Sequence, residues 1–453
     1  MRLSRSVIGT KLFILIFSCT SQSLDAQTSS VNFDYLTVLE APKGPIGFLG
    51  TGVSLYHSTL PIYAGIRLNN ALVGERGGYY TFGYHVGGHA QLSPAWSIHP
   101  RIMFTAGGGA ESNDGSGGFG TIAATLDYHH KNWSFGLGAQ SSYVSTGIIR
   151  GSSPYFTLNR SIDFSNPRPS PLKTQVFTNT ALSVFNEHKR PTGFIGVGGR
   201  TFQSQTFQSV YLTAAVTDLG GYMDVYAGYG LYKDFGSLRL LLEANAGTGG
   251  GGRAPAGGGA LYGGQAEMQY HFGEYFVGLS NGWLSSLNEP FHFQFTSLRL
   301  GTEFSFNSSS YKAGGFVPVN LSIENSIRTY VGEDGFSNIG VGFNLLKTNH
   351  WSLRGESYWA FTDMRGAYAE GLFGCRYERS VVFIEAQIGA GAGGGINLWN
   401  GAGLAFINTG LNVPISNSLV LNIRALYNAY STTPFPRFGF QFGIDLKIPF
   451  TKA

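Results

Sequence analysis

One phrase is written three times in this chain. It reads ALVGERGGYY around Ala71, AVTDLGGYM around Ala215 and AFTDMRGAY around Ala360. Glu75 and Asp218 stand 143 positions apart, and Asp218 and Asp363 stand 145 apart. A glycine run follows each phrase, at 106–110, 246–252 and 389–395. A third motif precedes each one: GFLGTG at 47–52, GFIGVG at 193–198 and NIGVG at 338–342. Self-similarity at a fixed period marks a chain built from stacked or tandem units rather than one irregular domain. The copies are read as residues 27–165, 166–312 and 313–453.

Residues 1–26 read as a secretion signal. Arg2, Arg5 and Lys11 supply positive charge, and the apolar run LFILIF is far shorter than the roughly 20 residues that span a bilayer. Ala26 is the small residue before the cut. A rival reading lipidates Cys19, against which the bulky Phe17 speaks. The processed chain then keeps one cysteine, Cys375, read as a small half-buried residue, and has no internal disulfide.

The last strand carries a family resemblance. Phe438, Phe440, Phe442, Ile444, Leu446, Ile448 and Phe450 occupy every second position, with Gly439, Gln441, Gly443, Asp445, Lys447 and Pro449 between them. Period two makes one face apolar and one polar. The segment 438–450 resembles the terminal strand of bacterial outer-membrane β-barrels. In that class the assembly machinery recognises such a closing strand, and the chain often stops at the aromatic residue. Here Thr451, Lys452 and Ala453 follow. The resemblance implies a cleaved, exported protein of a Gram-negative outer membrane, with membrane lipid and the barrel-assembly machinery as partners.

Composition points the same way. Charged residues make up 12% of the chain, against roughly 25% in soluble domains, and aromatic residues 14%. A net charge of +4 is too small to indicate nucleic acid. Each copy holds eight segments of alternating hydrophobicity. Connections after even-numbered segments are short and those after odd-numbered ones long, as in up-and-down membrane barrels. The expected fold is therefore all-β: an antiparallel up-and-down transmembrane β-barrel of about 24 strands from three tandem eight-stranded repeats. One continuous barrel is preferred to three small ones. The seams are short, and the first copy's eighth strand, carrying Asn159 and Arg160, makes a poor closing strand.

Charges within strands lie opposite the aliphatic stripe. Lipid exposure would cost a midplane Arg or Lys roughly 2 to 4 kcal/mol. Arg239, Glu243, Arg299, Glu303, Arg354, Glu356, Arg424, Asp445 and Lys447 are accordingly read as lumen-facing. The repeated acids Glu75, Asp218 and Asp363 are read as turn residues, or as a threefold acidic ring. The glycine runs (Gly107, Gly108, Gly109; Gly249, Gly250, Gly251; Gly393, Gly394, Gly395) are read as three sister loops on one rim. They lack the following Lys-Ser or Lys-Thr of a phosphate loop. His85 with His89, and His129 with His130, have no counterpart in the other copies. No HExxH, paired CxxC or GxSxG motif is present, so no enzyme, metal or cofactor is expected. The functional expectation is a conduit, porin-like or an export channel, for solute or polymer. The alternatives are a non-conducting scaffold or docking protein whose loops or lumen bind a plug or envelope partner, and a soluble secreted β-repeat protein.

Overall fold

The computed structural model describes residues 28–449 except 39–43, 58–59, 75–76, 110–116, 145–149, 163–171, 186–190, 220, 252–253, 255, 288, 290, 307–317, 332–334, 348–349, 361–367, 393–402, 417–418 and 431–436. The proposed signal segment, Cys19, Glu75, Asp363 and Gly393–Gly395 lie outside the described residues, as does the side chain of Lys447.

Alternation of apolar and polar residues gives strands throughout. The first group comprises β1 (Thr28–Val38), β2 (Ile46–Tyr56), β3 (Ile62–Val73), β4 (Tyr80–Gly88), β5 (Ala90–Ser93), β6 (Trp96–Gly108), β7 (Gly118–His130), β8 (Trp133–Val144) and β9 (Arg150–Ile162). The second comprises β10 (Leu172–Phe185), β11 (Pro191–Gln203), β12 (Thr206–Ala215), β13 (Met223–Phe235), β14 (Leu238–Gly250), β15 (Ala260–Phe272), β16 (Tyr275–Ser286) and β17 (His292–Phe306). The third comprises β18 (Pro318–Tyr330), β19 (Phe336–Lys347), β20 (Trp351–Ala360), β21 (Ala369–Arg379), β22 (Val382–Ala392), β23 (Gly403–Pro414), β24 (Leu419–Tyr430) and β25 (Arg437–Pro449).

Each group closes on itself, all antiparallel. β1 pairs with β9, β10 with β17 and β18 with β25. In the first barrel β4 pairs with β6, and the four-residue β5 continues β4 past His89 along the same partner. The wall therefore holds eight strands in each of three barrels, numbered 1 to 3 along the chain. This corrects the expectation of one continuous barrel. The physical reason lies in the filling: an eight-stranded lumen is just wide enough for side chains to pack it, and each of these lumens is packed.

The connections keep the expected parity. The three short turns of barrel 2 are 204–205, 236–237 and 273–274, whereas its opposite end carries 186–190, 216–222, 251–259 and 287–291. We call the two ends the turn side and the loop side. Outward positions are apolar and framed by aromatic pairs. Trp96 and Tyr128, Phe272 and Tyr275, and Trp351 and Tyr377 pair on the turn side, with ring centroids 5.1, 6.0 and 5.1 Å apart. Tyr262 with Trp283 and Tyr427 with Phe438 do so toward the loop side. Ten residues separate Tyr262 from Phe272 on β15. At about 3.3 Å per residue and a tilt near 40° they lie about 25 Å apart in height, the thickness of an outer-membrane apolar band. Cys375 stands exposed on the outer wall of β21 rather than half-buried.

The barrels pack head to tail. The β3 side of barrel 1 meets β14 and β15 of barrel 2. Ala214 and Val216, at the end of β12, pack on Leu372, Ala390, Leu404 and Phe406 of barrel 3. β19 and β20 of barrel 3 meet β4 and β6 of barrel 1, where Trp359 stacks on Phe82 with centroids 4.5 Å apart. In each case the third strand of one barrel faces the strands around the fifth of the next. A head-to-tail contact that returns to its start closes a ring, here with pseudo-threefold symmetry inside one chain.

Candidate functional site

The repeated phrase is the connection between the third and fourth strands. In every copy its first alanine donates a backbone hydrogen bond to its tyrosine: Ala71 to Tyr79 (2.9 Å), Ala215 to Tyr222 (3.0 Å) and Ala360 to Tyr368 (2.9 Å). All six residues are buried. Asp218 is exposed and takes a positive φ of 56°, a turn conformation that Asp tolerates better than most residues.

The glycine runs end the fifth strands. The run of barrel 2 does not line an open rim: it lies against the phrase of barrel 1. Gly77 N donates to Gly257 O at 2.8 Å. A Cβ added to Gly250 would come within 2.3 Å of the Gly77 carbonyl carbon, and one added to Gly78 within 2.2 Å of Gly251 N. Tyr80 Oη donates across the same seam to Met223 O (2.8 Å) and Thr248 O (3.1 Å). Gly107, Gly108 and Gly249 are buried as well. Repeated glycine here serves close backbone approach between barrels.

Inside the barrels lie the strand charges. In barrel 2, Arg200 pairs with Glu267 (2.5 Å) and Glu243 (3.3 Å), and Arg299 pairs with Glu267. Tyr211 donates to Glu243 (2.7 Å), and Arg299 lies 4.9 Å from the Tyr211 ring centroid. Nearer the turn side, Arg239 bridges Asp234 (2.5 Å) and Glu303. In barrel 3, Arg354 pairs with Glu324 and Glu356, Arg424 with Glu356 (2.9 Å) and Glu324 (3.5 Å), Arg376 with Glu385 (2.8 Å), and Arg328 with Glu370 (2.6 Å). Asp445 is buried in the same lumen. Barrel 1 carries Arg67 and Arg101 on the single carboxylate of Asp34, with Tyr155 accepting from both guanidiniums (3.0 and 3.1 Å). Glu243, Glu267, Glu324 and Glu356 are all at most 4% exposed. Such ions are tolerated because opposite charges and hydroxyls surround them.

Aromatic side chains close the loop side of barrel 2. Phe185, Phe194, Tyr222, Phe291 and Phe293 pack together with Ala256 of the 251–259 connection, so part of that loop folds onto the barrel mouth. Alternation alone singles out Arg239, Glu243, Arg299, Glu303, Arg354, Glu356 and Arg424 among the ion-pair residues. It does not single out partners such as Arg200, Glu267, Glu324, Glu385, Arg67 and Asp34, although Glu267 between Gln265 and Gln269 shows a polar stripe at period two.

Barrel 1 holds a further grouping. His85, His89, His99 and His129 all line its lumen, brought together from three strands and the bend after β4. His129 also has a counterpart after all: His271 is likewise the last lumen residue before the turn between the sixth and seventh strands, as the pairings of His129 with Ser134 and His271 with Phe276 show.

No family model matches the chain, and no curated protein does. Among solved structures it is similar to Pseudomonas aeruginosa OccK2 (OpdF) in complex with glucuronate, at 9% identity and a TM-score of 0.26, covering 94% of this chain and 99% of that one. It is similar to the outer membrane protein opdK of the same organism at 7% identity and a TM-score of 0.23, covering 93% and 98%. The siderophore receptor PirA from that organism gives 10% identity and a TM-score of 0.28, covering 93% and 80%.

Proposed function

We propose that this chain is an outer-membrane protein of a Gram-negative bacterium that works as a closed triple-barrel scaffold, presenting its loop side to an envelope or extracellular partner. The observation that carries this reading is the filling of the lumens. Ion pairs cross barrels 2 and 3 from wall to wall, and aromatic residues cap barrel 2. A solute path there would require breaking buried pairs at about 3 to 5 kcal/mol each. The aromatic girdles and the outward apolar band support the membrane location. Membrane lipid and the barrel-assembly machinery are the partners this location entails.

The conduit reading is favoured by one feature. Barrel 1 has a lumen rich in small hydroxyls, including Ser30, Ser54, Ser97, Thr125, Ser134 and Thr157, all buried. Planar-bilayer recording of folded, purified protein separates the two. The scaffold reading expects no steady conductance steps. Steady steps, altered by Asp34→Asn in the layer that closes barrel 1, would establish the conduit instead.

A further inference from the structure

The outer wall of barrel 2 carries a groove. Five large apolar side chains line it: Leu231 of β13, Leu240 and Leu242 of β14, Met268 of β15 and Leu279 of β16, each at least 47% exposed. Its floor is Ala266, which stands opposite Leu242 on one side and Asn281 on the other. The space enclosed is about 580 Å³, inside the range of about 300 to 1,000 Å³ that holds small ligands. On the far wall Asn281 donates to Thr296 (3.0 Å), so the two polar side chains there serve each other. Lys233 stands at the turn-side end, opposite Leu240. Its Nζ lies 5.2 Å from the Phe235 ring centroid. The neighbouring acid, Asp234, is taken by Arg239, and among the described residues no acid pairs with Lys233.

The same wall is built differently in the sister barrels. In barrel 1 Ile98 holds the place of Leu240, and Ala90 stands opposite it where barrel 2 has Lys233. Two residues further along, Pro100 replaces Leu242. In barrel 3 Tyr377 takes the place of Lys233, and the exposed Ile407 fills the place of Ala266.

We propose that this groove holds an acyl chain of one glycerophospholipid, with the lipid phosphate seated on Lys233. The inference rests on the membrane location proposed above. The groove is apolar and lies in the outward band, where lipid chains are the solvent. The one outward charge along it is positive and sits on the turn side, where the girdle of Phe272 and Tyr275 marks the headgroup level. A lysine there lays its apolar stem along the wall and delivers its ammonium to a phosphate.

The test is native mass spectrometry of the folded, delipidated protein in neutral detergent, titrated with dioleoyl phosphatidylglycerol. One lipid should be retained per chain. Lys233→Ala should weaken retention about fivefold, the weight of one cation at a lipid surface. Ala266→Leu, which fills the floor, should weaken it at least as much. Arg160→Ala should leave it unchanged, because Arg160 is the cation beside Trp133 on barrel 1. Dioleoylglycerol, with the same chains and no phosphate, should bind as weakly to the parent as the phospholipid binds to Lys233→Ala. Heat-modifiable migration on a gel confirms that each variant is folded. Equal retention in the parent and either groove variant overturns the proposal, as does equal retention of dioleoylglycerol or no retention at all. Alkaline extraction of cell membranes keeps the two readings apart. Release of the chain into the soluble fraction contradicts the membrane location itself, whereas a chain that stays in the membrane and retains no phospholipid sinks the groove alone.

Discussion

Glu267 takes charge from two guanidiniums, Arg200 and Arg299, in a site about 1% exposed. Its replacement by Gln keeps the shape, leaves Arg200 with Glu243 alone and takes from Arg299 the carboxylate it pairs with. The expected cost is about 3 to 5 kcal/mol, read as a lower urea midpoint in lipid or detergent. A swap of Arg200, Glu243, Glu267 and Arg299 together for well-packed apolar residues should recover most of it, because pairing and not polarity is what the lumen needs. A smaller effect belongs to the turn between β11 and β12. Ser204 begins a two-residue hairpin with φ near 56°, a region costly to residues with a Cβ and natural for glycine in such turns. Ser204→Gly should therefore raise stability by up to about 1 kcal/mol, measured by the same unfolding transition. The corresponding positions in the turns after β13 and β15 are already Gly236 and Gly273.

The strands were legible because their signal is local. Period two, two-residue turns and the parity of connections identify all eight segments of the third copy, from Pro318–Tyr330 to Arg437–Pro449. The seam between barrels was not legible, since a glycine loop on a rim and a glycine loop pressed against a neighbour have the same composition. Only the added Cβ distinguishes them. Gly250→Ala would drive its methyl into the backbone at Gly77, and the loop sides of barrels 1 and 2 must part. Gly371→Ala meets nothing within 4 Å and has no positive φ. The account expects Gly250→Ala to lower the thermal midpoint clearly and Gly371→Ala to leave it in place; equal behaviour of the two would remove the packing role of the glycine run.

At the scale of the molecule, the sequence left open where the sheet closes. A strand carries the same alternation whether its ring holds 8 members or 24, and pairing of β1 with β9 joins residues more than a hundred positions apart. The missed clue was stoichiometric. Arg200 and Arg299 balance Glu243 and Glu267, a matching that a wide hydrated lumen would not require. The repeated phrases then take on their meaning: they are the contacts by which three small barrels act as one body. Disulfide trapping tests this most directly. In a Cys375→Ser background, cysteine pairs at Tyr35 and Phe156, Thr180 and Leu298, and Ile327 and Phe442 stand opposite each other across the three closing seams. All three pairs should cross-link within one chain under mild oxidation. Failure of these pairs, together with cross-linking between β9 and β10 and between β17 and β18, would show a single wide barrel and contradict the account.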